Sequence, residues 1–242
     1  MKLKSLLLGS ALLIASSMHG QVGEVRNEFA IGVNGGYALN RVTFNQPTIK
    51  QSFHGGTSFG LTMRYTCEKY FALCCALQAE VNYTEMGWKE LIETSTDTYE
   101  RDINYIQVPL LARLAMGKEH KGFMGYLILG PQVGFYLNDA EKKGTSDGSE
   151  GWTNLTLWNR PNHVTQQYGL PIKNTFEYGI TGGLGMELNT EIGHFLLEGR
   201  YYYGLSDIFG SSKKDVFGKS SNGAIIAKAS YLFDIRKKKT KE

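Results

Sequence analysis

The sequence predicts an all-β protein, an eight-stranded antiparallel transmembrane β-barrel of the outer-membrane type that follows an N-terminal signal peptide. Three observations support this prediction: residue character alternates with a period of two, the alternating segments are long, and short connections alternate with long ones. A period of two indicates strands, because successive side chains of a strand point to opposite faces. The segments have about twelve residues each, which is long enough for a tilted strand to cross a bilayer.

The clearest alternation lies in a predicted hairpin at residues 176–205, with a polar turn at 189–193. Apolar and aromatic residues occupy one face of its first strand, and glycines and glutamates occupy the other. The second strand, at 195–205, again has an apolar face opposite a face that carries charges. This arrangement suits a barrel with lipid outside and a polar interior.

The same alternation predicts six further strands, at residues 29–40, 57–67, 71–88, 101–116, 122–137 and 223–234. Short connections are expected at 68–70, 117–121 and 189–193, and long ones at 41–56, 89–100, 138–174 and 207–222. Outer-membrane barrels have short periplasmic turns and longer external loops. Because the number of strands is even, both termini are expected on the periplasmic side.

The two ends of the chain are predicted to lie outside the barrel. Residues 1–20 combine a basic start, an apolar run too short to span a membrane as a helix, and small residues, which indicates a secretory signal peptide. Cleavage is expected after Gly20, with Ser17 as the alternative. The barrel is assigned to residues 21–234. Residues 235–242 form a basic tail, expected to be solvated in the periplasm, with contact to anionic headgroups or a periplasmic partner as the alternative.

The composition agrees with such a barrel. The 29 glycines and 14 tyrosines are numerous and the 5 prolines few, as expected for many strands with aromatic girdles. The net charge of +3 does not indicate a nucleic-acid surface. Of Cys67, Cys74 and Cys75, at most one of the adjacent pair can reach Cys67, so at least one thiol is expected to be free. The preferred interpretation is that all three cysteines serve as small apolar residues near the end of a barrel strand.

The face predicted to point into the barrel carries charges of both signs in equal number. They are Arg64, Arg113, Arg200 and Lys228 with Glu80, Glu177, Glu187 and Glu198. An eight-stranded barrel has room only for side chains or one small ligand, and buried charges persist when they are paired. The expected role of this lumen charge network is structural, because salt bridges would hold the barrel closed. A narrow gated conduit is the alternative.

No motif indicates catalysis, a cofactor or a metal. The histidines are scattered, and neither His-x-x-x-His nor Cys-x-x-Cys spacing occurs. His163 and the Ser and Asp residues of the long loops show no spacing that promises a base beside a nucleophile. The glycines at 182, 183 and 185 lie within a strand with no helix after it, so a phosphate loop is not expected. Trp152 and Trp158 are expected to contact the rim or membrane interface; an exposed binding surface is the alternative.

Five segments carry a resemblance to a known family: Tyr105-Ile106-Gln107-Val108-Pro109-Leu110-Leu111, Leu129-Gly130-Pro131-Gln132-Val133-Gly134, Gly182-Gly183-Leu184-Gly185-Met186-Glu187, Arg200-Tyr201-Tyr202-Tyr203-Gly204-Leu205 and Tyr231-Leu232-Phe233. They resemble the PorT-like outer-membrane β-barrel family of Bacteroidetes. The resemblance implies an eight-stranded barrel in the outer membrane of a Gram-negative bacterium, and a link to type IX secretion through the founding member. It implies no catalytic or binding residue.

Three functions are compatible with these observations. The preferred one is a non-enzymatic scaffold or assembly component associated with protein secretion. A small-solute conduit and a surface adhesin or ligand binder using loop 138–174 are the alternatives. Outer-membrane lipid or lipopolysaccharide and a secretion-system or periplasmic protein are the expected partners. Tyr231 and Phe233 of the last strand also resemble a signal for the barrel-assembly machinery.

Overall fold

A computed structural model describes residues 24–44, 50–90, 97–119, 121–145, 168–210 and 219–236. The predicted signal peptide, residues 237–242 of the predicted tail, and Trp152, Trp158 and His163 all lie outside these described residues. No helix in the described part of the chain is both long and apolar enough to cross a membrane.

Eight long antiparallel strands form one closed sheet in the described ranges. They are β1 (Glu24–Phe44), β2 (His54–Tyr70), β3 (Leu73–Glu90), β4 (Asp97–Gly117), β5 (Gly122–Thr145), β6 (Phe176–Asn189), β7 (His194–Gly204) and β8 (Ser220–Arg236). Each strand pairs with its neighbour in sequence, and β1 pairs with β8. A two-residue strand, Gln51–Ser52, also pairs with the end of β3. The prediction of an eight-stranded antiparallel barrel is confirmed.

The outer surface is apolar because one face of every strand carries hydrophobic side chains that remain exposed. Aromatic residues form two girdles on this surface. The girdle near the long loops contains Tyr37, Phe59, Tyr83, Phe135, Phe176, Tyr178, Tyr201 and Tyr203; that near the short turns contains Tyr65, Phe71, Phe123, Phe195, Tyr231 and Phe233. Aromatic belts mark the two membrane–water interfaces. Outer-membrane barrels have short periplasmic turns and longer extracellular loops, and by that rule the long-loop end is the extracellular one and the short-turn end the periplasmic one.

The predicted loop at 138–174 begins later than expected. Residues 138–145 continue β5 and pair with residues 97–104 of β4, after a register shift between Asn104 and Tyr105. This extended hairpin lies beyond the extracellular girdle, because Ile106 pairs with both Tyr83 and Phe135 of that girdle. A hairpin above the membrane has water on its outer face, so the ladder continues without the apolar alternation that was used to find strands.

The three cysteines are all free thiols in the structure. Cys67 occupies a bulge in β2, where the register shifts between Thr66 and Glu68. On β3, Cys75 pairs with Glu68 and is partly exposed, whereas Cys74 is buried in the lumen. Of the two neighbours, therefore, Cys75 is the one next to the bulge that holds Cys67.

Candidate functional site: the lumen charge network

All eight of the predicted lumen charges point into the barrel, and none is more than 5% exposed. They come from β2, β3, β4, β6, β7 and β8, at alternate positions that face the interior. The structure brings seven of them into ion pairs, in two clusters. The central cluster consists of Glu80, Glu198, Arg200 and Lys228. The periplasmic cluster contains Arg64, Arg113 and Glu187. The eighth, Glu177, lies apart from both clusters.

Glu80 is the hub of the central cluster. Its carboxylate accepts two hydrogen bonds from the Arg200 guanidinium, at 2.6 and 2.9 Å, and one from Lys228 Nζ at 2.5 Å. The amides of Gln78 and Asn82 donate to it as well, at 2.8 and 2.9 Å. Since β3 lies opposite β7 in a ring of eight strands, the pair of Glu80 with Arg200 spans the lumen from wall to wall.

Glu198 extends the central cluster towards the periplasm. It pairs with Arg200 and accepts a hydrogen bond from the Tyr126 hydroxyl at 2.7 Å. The guanidinium of Arg113 lies over the ring of Tyr126, 4.0 Å from its centroid. A cation placed over an aromatic face is attracted by the ring quadrupole. Tyr126 thus joins the central cluster to the periplasmic one.

Glu187 is the hub of the periplasmic cluster. Arg64 donates to both of its carboxylate oxygens at 2.8 Å, and Arg113 also pairs with it. His194 extends the cluster, with Nδ1 2.8 Å from Glu187 and Nε2 2.9 Å from Asp234. The strands β2 and β6 face each other across the ring, so this cluster is a second connection between opposite walls.

Glu177 differs from the other three lumen glutamates in having a neutral partner. It lies near the extracellular end of β6, where the Tyr202 hydroxyl donates to it at 3.0 Å. No basic side chain of the described residues forms an ion pair with it. The expectation that all eight charges would form one network therefore does not describe Glu177, because it lies above both clusters.

An aromatic plug fills the extracellular end of the lumen, and the sequence analysis did not identify it. Its members Met86, Trp88, Tyr99, Tyr105, Tyr202 and Phe209 are all buried. Arg101 lies among them, with its guanidinium 5.7 Å from the Trp88 ring and 5.3 Å from the Phe209 ring, and it pairs with Asp139. Leu170 and Ile172, which precede β6, are partly buried against the plug. The sequence contained one sign of this plug, because Trp88 belongs to the same series of alternate, inward-facing positions of β3 as Thr84.

Hydrogen bonds also fix the hydroxyls of the plug. Tyr99, on the extracellular part of β4, donates to Glu141 at 2.9 Å. Burial, together with the neighbouring Glu141 carboxylate, raises the pKa of the Tyr99 hydroxyl well above its usual value. The phenol therefore remains protonated and keeps donating throughout the physiological pH range.

One group of potential metal ligands, His54, Glu100 and Asp102, comes together among the described residues, although their spacing in sequence does not reveal it. The two ring nitrogens of His54 face different carboxylates, at 2.8 Å for Glu100 and 3.1 Å for Asp102. The second oxygen of Asp102 lies 2.6 Å from Lys142 Nζ. His54 therefore already contacts both carboxylates, and Lys142 also pairs with Asp102, which favours a polar cluster that supports the extended hairpin.

The sequence matches one protein-family model, described as an outer membrane protein beta-barrel domain, over residues 16–210. The chain belongs to this family. A search of curated proteins found no match. Among solved structures, OprG from Pseudomonas aeruginosa is 14% identical and aligns over 88% of this chain and 98% of its own, with a TM-score of 0.49.

Two further structures show a similar extent of alignment. Ail, the attachment invasion locus protein of Yersinia pestis, is 15% identical over 85% of this chain and 99% of its own, with a TM-score of 0.37. Neisserial surface protein A is 13% identical over 85% of this chain and 97% of its own, with a TM-score of 0.39. As a member of its family, the chain is an outer-membrane β-barrel protein.

Proposed function

We propose that the protein is a non-enzymatic, non-conducting barrel that serves as a scaffold or assembly component of the outer membrane. The observation that carries this proposal is the lumen charge network, whose ion pairs connect opposite walls at two levels. A solute would have to separate buried ion pairs to pass, and breaking a buried pair costs about 3–5 kcal/mol. The aromatic plug adds a third obstacle above the two clusters.

The resemblance to the PorT-like family supports a more specific role within this proposal. A barrel with a filled lumen acts through its surfaces. The start of β1 and the end of β8 lie at the same end of the barrel as the short turns, which is the periplasmic end in outer-membrane barrels. A secretion-system or other periplasmic protein is therefore the proposed partner, in a bacterium of the Bacteroidetes type. The barrel-assembly machinery would be a partner during insertion only, through the last strand.

Single-channel recording of the refolded protein in planar bilayers tests the absence of conduction. We expect no discrete openings from the wild type, nor from Arg113→Ala or Arg200→Ala, because each variant removes one member of one cluster and leaves the aromatic plug in place. A large porin recorded in parallel shows that the bilayers report conduction, and heat-modifiable migration shows that each variant is folded. Discrete openings of the wild type would overturn the proposal in favour of a conduit.

A surface adhesin or ligand binder is the second candidate, and the extended hairpin is the observation that favours it. Residues 97–104 and 138–145 carry the chain beyond the extracellular girdle as paired strands. Arg101 secures the base of the hairpin through ion pairs with Asp139 and Glu141. Paired strands beyond the girdle suit contact with a ligand outside the cell.

A deletion separates the two candidates. If the connection binds a ligand, replacing residues 146–167 with a short Gly-Ser linker should abolish binding of the refolded protein to a glycan array while the barrel still folds. If the protein acts from the periplasmic side, a pull-down with periplasmic extract should give the same partners with and without the deletion. Loss of those partners on deletion would count against the periplasmic role.

A further inference from the structure

A pocket at the extracellular edge of the membrane lies outside the lumen charge network. It opens between residues 173–178, at the start of β6, and residues 205–207 and 219, which follow β7 and precede β8, with a volume of about 590 Å³. Two lysines, Lys173 and Lys219, belong to its lining, together with Phe176, Tyr178 and Leu205. This volume is in the range of small-molecule sites and far exceeds that of a single bound water or ion.

The pocket has a hydrogen-bonded frame. The side-chain amide of Asn174 donates to the carbonyl of Asp207 at 2.5 Å, and the backbone amide of Asn174 donates to the carbonyl of Ile208 at 3.3 Å. Ser206 Oγ accepts from the Tyr178 amide at 3.2 Å. These bonds hold the two segments beside one another, so the pocket is built by the fold.

The charges in the pocket favour an anion. Lys173 and Lys219 are both exposed, and neither takes part in an ion pair with another described residue. Asp207 is the one acidic residue of the lining, and its Oδ1 accepts from Ser220 Oγ at 2.7 Å and from the amides of residues 209, 210 and 220. Oδ1 of the Asp207 carboxylate is therefore engaged by these groups, whereas Oδ2 is buried and has no hydrogen-bond partner among the described residues. The two lysines outnumber this one carboxylate in the lining.

The position of the pocket indicates where that anion comes from. Phe176 and Tyr178 belong to the extracellular girdle, and Phe176 packs against Phe135 with ring centroids 5.5 Å apart. The lysines precede β6 and β8, so they lie on the water side of the girdle, at the level of lipid headgroups. Basic residues next to a membrane attract anionic headgroups by about 1 kcal/mol each.

We propose that this pocket binds the phosphorylated headgroup of an outer-leaflet glycolipid. Lys173 and Lys219 contact the phosphate, while the exposed faces of Phe176, Tyr178 and Leu205 continue the surface along which the acyl chains run. The site goes beyond the proposed scaffold function, since it does not depend on what the lumen or the periplasmic surface does.

Titration of the refolded full-length protein in neutral detergent with bis-phosphorylated lipid A tests the site, with dephosphorylated lipid A as the second probe. We expect Lys173→Ala/Lys219→Ala to bind the phosphorylated lipid about 30-fold more weakly than the wild type, from about 1 kcal/mol per lysine. The variant Lys173→Arg/Lys219→Arg should retain binding, because arginine also bonds phosphate. Dephosphorylated lipid should bind weakly to all of these proteins.

A matched control removes the same charge from the other end of the barrel. Lys118→Ala/Lys121→Ala, on the exposed turn before β5, should bind phosphorylated lipid A like the wild type. Equal affinity of the wild type and Lys173→Ala/Lys219→Ala would overturn the proposal, as would equal affinity for the dephosphorylated lipid. Displacement of the lipid by millimolar inorganic phosphate would also overturn it, since the site would then recognise a free anion. Heat-modifiable migration shows that each variant is folded.

Discussion

Glu80→Ala is expected to lower the free energy of unfolding by about 3–5 kcal/mol, the usual effect of removing one partner from a buried ion pair. The Glu80 side chain is fully buried and bonds both Arg200 and Lys228. Without it, the Lys228 ammonium loses its hydrogen-bonded carboxylate, and Arg200 keeps only Glu198 as an ion-pair partner. Both cations would remain in a lumen from which water is largely excluded.

Equilibrium unfolding in urea, followed by tryptophan fluorescence of the protein in lipid vesicles, measures this effect. Glu191→Ala is the matched control, because Glu191 also pairs with a lysine, Lys121, but both side chains are more than 70% exposed. An exposed pair contributes about 0–1 kcal/mol, so the control should unfold nearly like the wild type. If the two variants lost similar amounts of unfolding free energy, burial of the network would add nothing to its contribution to stability.

A second variant separates the cost of an unpaired charge from the value of the network. Replacing Glu80, Glu198, Arg200 and Lys228 together with methionine removes all four charges of the central cluster and leaves apolar side chains of similar length. Buried ion pairs exchanged for apolar residues are often neutral or stabilising. We therefore expect the quadruple variant to be more stable than Glu80→Ala, which would locate the destabilisation in the cations that Glu80 leaves unpaired.

The sequence was sufficient to predict which face of each strand carries these charges. Alternation fixes whether a side chain points to lipid or to the lumen, and all eight predicted residues point inward. Alternation does not fix the height of a residue or its partner on the opposite wall, because both depend on the stagger of the strands around the barrel. For that reason the pair of Glu80 with Arg200, 120 positions apart, could not be assigned, and Glu177 could not be separated from the others.

The extracellular structures were the least predictable part of the fold. Residues 138–145 have a polar sequence because both faces of the extended hairpin lie outside the membrane, so the pattern used for the other strands is absent there. The aromatic plug depends on the segments at 168–172 and 205–210, which carry no periodic signal of their own. Their contacts with Trp88 and Tyr99 arise only once the barrel has closed.

Gly32→Ala is expected to be as damaging as the loss of Glu80, although it adds only one methyl group. Gly32 pairs with Leu232 across the seam where β1 meets β8 and closes the barrel. A Cβ at this position would lie 1.8 Å from the carbonyl oxygen of Tyr231 and 2.7 Å from the Cα of Leu232. These are backbone atoms of the partner strand, so relief requires the two strands to separate. Overpacking typically costs about 1–3 kcal/mol and occasionally more, and a clash with backbone atoms, which cannot rotate away, should lie at the upper end of that range.

Gly35→Ala is the control for this prediction, because the same substitution is made three residues along the same strand. A Cβ on Gly35 meets no atom within 4 Å, since that position faces outwards. The free energy of unfolding of Gly35→Ala should therefore lie within about 0.5 kcal/mol of that of the wild type. The measurements are the heat-resistant fraction after refolding and the free energy of unfolding. If Gly32→Ala refolds as fully as Gly35→Ala, the seam can widen by more than an ångström, and the spacing of β1 and β8 is not what makes glycine necessary there.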